Sequence, residues 1–437
     1  MKKFLFASCA VLLAAQAWGN VPSDKYNSKI ENLDKARYPI TSNYRSNVYF
    51  FGGFDFGGYK RTDPSLKELT AGEVRAIQNG VANRVTPHGN QPYSIIGYSQ
   101  GGLRALGYIS QVPNPNLIDA AVTVSGIDQG LKMLDGGLGA FKARGSGKIN
   151  IVWNGLIAGA NVFNFTPVLN PSILLRNQGS LAADIVFSII PPSMRTYWQE
   201  AWLTTDPNRV PQIGDMIPGS AYIRDNVVKN ENYTYRVKTG TRLTTEWHSR
   251  KIWPGITIWY LWIGYVDVYG YVSVNKSLPQ FNPNVPVGFI GGTNNKTLTM
   301  ADGNEKAVRD VVKGLEIGFA VVEGIHIAKC VFIIGLFNGS AIYAYDADRA
   351  RRFMGNIDGE IYDIIGSSQG DGLVALSHQH LPQWFTEPDT GRSYKVLPNR
   401  YLGFEKVHAN HQKITDNRDT WEHAGKMLID GRDHRRR

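Results

Sequence analysis

The chain has 437 residues, with 47 Lys and Arg against 37 Asp and Glu, a formal charge of +10 and two cysteines. That length admits one large domain or two ordinary ones, held by apolar burial rather than by a disulfide framework. The positive excess is modest and scattered, and neither zinc-finger spacing nor a basic–aromatic array accompanies it, so nucleic acid is not an expected partner.

Residues 1–19 read as a secretory signal peptide. Lys2 and Lys3 give a charged start, Phe4 to Ala15 an apolar run, and Ala17 and Gly19 the small residues of a cleavage site before Asn20. Cys9 after Ala7-Ser8 hints at a lipoprotein signal, but the apolar run ahead of it is too short. The chain is therefore expected to be exported, to the periplasm, the outer membrane or the medium. Cleavage leaves Cys330 as the single cysteine and a net charge of +8 (10 − 2). The basic end from Arg432 to Arg437 reads as a solvated tail, with an anionic surface as the alternative.

Residues 20–45 are polar and aperiodic, a leader over the surface. Asn47 to Phe51 reads as a buried strand running into Gly52-Gly53-Phe54-Asp55-Phe56-Gly57-Gly58, a loop whose backbone must approach something closely. Thr70 to Val85 has helical spacing (Val74, Ile77, Val81) with a capping box from Thr70 and Glu73. A second apolar run, from Tyr93, enters Gly97-Tyr98-Ser99-Gln100-Gly101. Leu103, Leu106 and Ile109 then mark one face of a helix. Ile118 to Ser125 is a third strand. This rhythm predicts an α/β fold with a mostly parallel central sheet covered on both faces.

From about 131 to 275 the rhythm is lost, and the segment reads as a large inserted cap. Ile173 to Leu175 and Leu181 to Ile190 are apolar patches within it, and Asp215 to Ser220 a turn into an element. Ile256 to Val274, with Trp259, Trp262, Tyr265, Tyr269 and Tyr271, predicts a hairpin or pair of strands. Its aromatics either form the cap's own core or contact lipid. Val285 to Gly291 restores the core pattern, and an insertion around 294–355 follows. In it Val311 to Tyr345 is the most apolar stretch, but Glu323, His326 and Lys329 interrupt it, so a buried or cap-packing helix is expected and not a membrane span. Ile361 to Gly366 reads as the last core strand and Trp421 to Ile429 as a final helix. The core is thus expected in two parts, 20–130 and 276–437.

A serine between two glycines at a sharp strand-to-helix turn is the setting of a nucleophile elbow, which makes Ser99 the candidate nucleophile. A serine hydroxyl needs an imidazole to take its proton, and the imidazole needs a carboxylate to orient it. In a fold of this kind the chain order is serine, acid, histidine. Asp371, between Gly370 and Gly372 after the 361–366 segment, fits the acid better than Asp302. His408 and His411 fit the base. His411 is preferred, because Asn410 precedes it and a loop continues. His378 and His380 lie too close to the acid and read as solvated surface residues. Backbone N–H groups at Gln100 and Phe54 would receive the oxyanion. No metal or other cofactor is expected, and the residues that bind substrate are not legible.

The segments GYSQGG (97–102), VPVGFIGGT (285–293), QGDGLVALS (369–377) and ANHQKITDN (409–417) resemble, in order, the landmarks of true bacterial lipases, secreted α/β-hydrolases of the Pseudomonas and Burkholderia kind. The resemblance implies an α/β-hydrolase fold and hydrolysis of lipid esters by Ser99, Asp371 and His411. The chain differs from that family in two places. Gly52-Gly53 stands where His-Gly is usual. Lys413 stands two positions past the histidine, where the family has an acidic ligand to a structural calcium, so calcium is not expected there. Phospholipase A or lipid acyltransferase chemistry on the same triad is the nearest alternative. A lipid- or surface-binding protein that retains the fold is an alternative of another class.

Overall fold

The structure, a computed structural model, describes residues 30–35, 38, 40, 44, 46–53, 64–80, 85–162, 204–254, 256–281, 284–296, 305–331, 340–397 and 400–436. The signal segment 1–19, Phe54, Asp302 and the apolar patches at 173–175 and 181–190 lie outside the described residues.

The centre is a six-stranded sheet. Its strands are β1 (Ile30–Asn32), β2 (Asn47–Phe51), β3 (Tyr93–Tyr98), β4 (Ile118–Val124), β7 (Val287–Gly292) and β10 (Tyr401–Val407), side by side in that order. β1 is antiparallel to β2, and every other neighbour pair is parallel. Parallel strands are buried on both faces, which explains why β3, β4 and β7 read as unbroken apolar runs. The period of two still sorts the side chains. Tyr49, Phe51, Tyr93, Ile95, Ala121 and Phe289 join one core with α1 (Leu66–Asn79) and α2 (Gln100–Gln111). Val48, Phe50, Ile96, Val122, Val124 and Ile290 join the opposite core with α9 (Arg418–Arg436). This is a mixed α/β architecture with a mostly parallel sheet and helices on both faces.

Four expectations need correction. The leader contributes β1, a strand too short to carry a readable period. The first helix starts at Leu66, not Thr70. Ser65 and Glu68 form its capping box, and Gly80 ends it at φ +79°. Two sequence matches to the box compete here, and Thr70 and Glu73 lie inside the helix because both turn inward, Thr70 onto the Tyr222 hydroxyl at 2.7 Å. The segment 361–366 belongs to α8 (Ile357–Ile365), capped by left-handed Gly366. Ile357, Ile361, Ile364 and Ile365 are all buried, a spacing that suits a helix face as well as a short strand. The last core strand is instead β10, a half-exposed element.

Between β4 and β7 the chain forms α3 (Gly137–Val162), α4 (Pro211–Asp215), α5 (Ala221–Asn226) and a long ribbon of β5 (Val228–Trp253) with β6 (Ile256–Pro279). The expected turn at 215–220 delivers Ser220 as the cap of α5. The expected hairpin is present and longer, roughly 80 Å at the usual rise per residue. Its aromatics do not form a core: Trp247, Trp259, Tyr265, Tyr269 and Tyr271 are all exposed. After β7, α6 (Glu305–Val331) and α7 (Ser340–Gly355) pack with α3. Gly155 permits that approach, since a Cβ there would lie 2.4 Å from Ala350 Cβ. Among the described residues no helix is long and apolar enough to cross a membrane. A small hairpin of β8 (Trp384–Thr386) and β9 (Ser393–Lys395) precedes β10.

Trp421 closes the α9 side of the sheet. It is buried, its ring lies 4.2 Å from that of Tyr38, and its indole N–H donates to Thr415 O at 2.7 Å. Trp421→Ala is therefore expected to cost about 3–5 kcal/mol in urea unfolding, the range for truncating a large buried aromatic.

Candidate active site

The site is built on the junction of β3 and α2. Ser99 sits between them at φ 55°, ψ −125°, a backbone region that non-glycine residues rarely occupy. Close packing forces the turn. A Cβ on Gly97 would lie 2.3 Å from Gly101 O, and one on Gly101 would lie 2.1 Å from Phe51 O. Both neighbours are backbone and cannot give way. The Ser99 N–H donates to Val124 O at 3.0 Å, and Ser99 O accepts from Gly102 and Ile127. The serine is thus fixed at the carboxyl end of the sheet, at the positive end of the α2 dipole.

Asp371 and His411 come from separate loops. Asp371 follows Gly370, whose φ of +149° goes with a Cβ position only 2.2 Å from Val374 O. The carboxylate is fully buried. Its Oδ1 accepts backbone N–H bonds from Leu373 (3.0 Å) and Val374 (2.7 Å). The other oxygen, Oδ2, lies 2.7 Å from His411 Nδ1, and His411 Nε2 lies 2.8 Å from Ser99 Oγ. Both carboxylate oxygens act as acceptors, so Nδ1 carries the ring proton and Nε2 is left to accept from the serine hydroxyl. The His411 N–H also donates to Asp371 O at 2.8 Å, which ties the two loops together.

The structure therefore brings Ser99, Asp371 and His411 together. His408 is exposed, one turn of chain earlier. Asn410 explains the difference: its Oδ1 accepts the N–H groups of Gln412 (3.1 Å) and Lys413 (2.8 Å), and this turn swings His411 inward. Lys413 thus serves the turn through its backbone. Among the described residues no group of three or more His, Cys, Asp or Glu is placed to hold a metal ion. His378 and His380 correct the expectation of solvated residues. Both are half-buried, and His378 Nδ1 donates to Gly130 O at 2.7 Å while the His380 ring lies 4.1 Å from Phe404. Burial holds the pKa of each below the usual imidazole value.

Of the two expected oxyanion donors, Gln100 is the first residue of α2, where a backbone N–H has no partner inside the helix. Phe54 lies outside the described residues, but the chain leading to it is described. A Cβ on Gly53 would lie 3.2 Å from the Tyr98 ring and 3.6 Å from Ser99 Cβ, so the glycine loop departs directly beside the serine.

Three supports escaped the sequence reading. Arg104, buried on α2, donates to Gly52 O at 2.7 Å and pairs with buried Glu73 of α1, which clamps the start of that loop. Burial pushes the Glu73 carboxyl up, and Arg104 opposes the shift. The lone charged residue of a largely buried helix was the available signal. Tyr98 donates its hydroxyl to His411 O at 2.5 Å, and its ring faces the imidazole at 5.3 Å. Gln212 of α4 accepts from Gln100 Nε2 at 3.1 Å and so ties the inserted segment to the elbow.

Behind the elbow, Asp128 is fully buried and accepts from Thr123 Oγ1 at 2.8 Å. Burial lifts its pKa from 3.8 to about 7, against the smaller pull of Thr123. Because the folded value lies above the unfolded one, the folded chain holds the extra proton between these limits. The stability gained from it is lost as pH rises through about 7. From about pH 4 to about pH 8, wild type is expected to lose on the order of 3 kcal/mol relative to Asp128→Asn, measured by urea unfolding at both ends.

The strain at Ser99 is testable separately. Ser99→Gly and Ser99→Ala both lose the hydroxyl, but only glycine relaxes at positive φ. Ser99→Gly is expected to be more stable than Ser99→Ala by about 1 kcal/mol in the same assay.

No protein-family model matches the chain, and no curated protein or solved structure matches it.

Proposed function

We propose that the chain is a serine hydrolase of the α/β-hydrolase kind that cleaves carboxylic esters of lipids through an acyl-enzyme. The single observation that carries this reading is the unbroken run of hydrogen bonds from Ser99 Oγ to His411 Nε2 and from His411 Nδ1 to Asp371 Oδ2, at 2.8 and 2.7 Å. Three side chains drawn from residues 99, 371 and 411 have no structural need to meet in this order. Catalysis does have such a need.

In this reading Ser99 Oγ attacks the ester carbonyl carbon as its proton passes to His411 Nε2. The negative charge that develops on the carbonyl oxygen faces the Gln100 N–H and the N terminus of α2. Asp371 holds the imidazole in the required tautomer and stabilises its positive form. The leaving alkoxide takes the proton from Nε2. Water then enters with His411 again as base, breaks the acyl–Ser99 bond and releases the carboxylic acid. The fold assignment draws support from the sheet order and from the position of Ser99 at the carboxyl end of β3. The lipid-ester class rests on the four family-like segments, and residues 1–19 fit an exported enzyme.

Labelling by a fluorophosphonate tests the proposal. Wild type should label stoichiometrically, and Ser99→Ala should not label at all. His411→Ala should label and turn over esters at least about 10³-fold more slowly. An ester chain-length series then separates long-chain from short-chain preference. Folded wild type that neither labels nor turns over any ester would overturn the proposal.

A further inference from the structure

β5 and β6 pair only with each other among the described strands. The root of their ribbon is anchored to the body. Tyr233 donates its hydroxyl to Asp389 at 2.8 Å, Lys276 lies 4.5 Å from the Tyr394 ring centre, and Ser277 Oγ donates to Gln129 Oε1 at 3.3 Å. Beyond a register shift between Lys238 and Gly240, large apolar side chains of the tip are exposed. There Leu243 stands opposite Tyr265, Thr245 opposite Ile263, Trp247 opposite Leu261 and Ser249 opposite Trp259. Cross-strand partners share a face, so Leu243, Trp247, Trp259, Leu261, Ile263 and Tyr265 lie on one face. Each is between 43% and 71% exposed. Arg242, Glu246, His248 and Arg250 occupy the opposite face of β5, all exposed.

An apolar face of this extent calls for a cover. A second ribbon laid upon it is too small. About 13 residues on each of two strands give a flat footprint of roughly 400 Å² per copy, half of what a standard interface uses. A bilayer surface has no such limit, and the charge favours one sign of lipid. Residues 228–279 hold seven Lys and Arg against three Asp and Glu (7 − 3 = +4), and the tip, residues 240–268, holds three of these bases against two of the acids (3 − 2 = +1).

We propose that the ribbon tip is a docking element for an anionic bilayer surface, laid flat with the Trp247, Trp259 and Ile263 face against the lipid. Trp and Tyr suit that apolar–water boundary, and the arginines supply attraction to the headgroups. The ribbon does not span. A lone pair of strands has two unpaired edges, whose N–H and C=O groups stay hydrated only at headgroup depth. Its root reaches the elbow through Gln129, two residues past Ile127, whose N–H donates to Ser99 O. Docking stands apart from the ester-hydrolase reading; its use, to bring lipid esters to Ser99, rests on that reading.

Co-sedimentation with vesicles tests the docking. The full chain carrying Ser99→Ala, so that no lipid is consumed, is mixed with vesicles of phosphatidylcholine alone or with added phosphatidylglycerol. Binding is expected on the anionic vesicles and at least tenfold weaker on the neutral ones. Leu261→Asp with Ile263→Asp should abolish it, Arg242→Ser should weaken it about fivefold on anionic vesicles, and Thr244→Asn should leave it unchanged. The same arm variants in the Ser99 chain should hydrolyse a short soluble ester at the wild-type rate, which shows the body intact. Three results would overturn docking: no sedimentation with anionic vesicles, equal sedimentation of the double Asp variant, or a lipid-free mass of two chains that falls to one in that variant, which would assign the face to a second copy. Vesicle binding without any ester turnover would leave docking standing and remove the hydrolase reading.

Discussion

Everything at the candidate site depends on a steric constraint: three backbones meet at the Ser99 turn with no room for a Cβ at Gly97 or Gly101. The ends of β2, β3 and β4 crowd the first turn of α2, and the Ser99 backbone takes up the bend at positive φ. Strain of this kind costs about 1–3 kcal/mol and persists only where the surroundings over-determine it. Here two buried cores, one on each face of the sheet, supply that determination. The turn leaves the hydroxyl at the sheet's carboxyl edge, where the later loops that carry Asp371 and His411 reach it.

The reach of those loops is set by hydrogen bonds more than by packing. Asp371 has both carboxylate oxygens occupied, and the His411 backbone bonds to Asp371 O, so the two loops are tied together by side chain and backbone. Tyr98, adjacent to Ser99, holds His411 O and lies along its ring. The strand that leads into Ser99 thus positions His411. On the other side Arg104 grips Gly52 O from the helix that begins after Ser99. The Ser99 turn therefore organises both the hydrogen-bonded run through His411 and the start of the glycine loop.

Much of this was legible in the sequence, for identifiable reasons. Gly-x-Ser-x-Gly between an apolar run and a helical stripe has few physical readings, and the order of serine, acid and histidine limited the choice to a few residues. The choice of His411 over His408 was legible through Asn410, a residue that favours turns. The 361–366 segment was not legible, because isoleucines at 361, 364 and 365 suit either period and only the flanking caps decide. β10 was hidden because it is half-exposed and interrupted by Gly403. The Arg104–Glu73 pair joins residues on different helices, and no local pattern announces it. The ribbon shows another limit. Alternation in the sequence reveals that strands have faces, but what covers a face depends on the rest of the molecule, and here the described body leaves the tip bare.

The most direct test of the central claim is to catch the covalent intermediate. Wild type mixed with a slowly deacylated ester, quenched in acid during the first turnover and digested, should yield one acylated peptide, and fragmentation should place the acyl group on Ser99. Release of product with no adduct at any time point, or an adduct on another residue, would contradict the account.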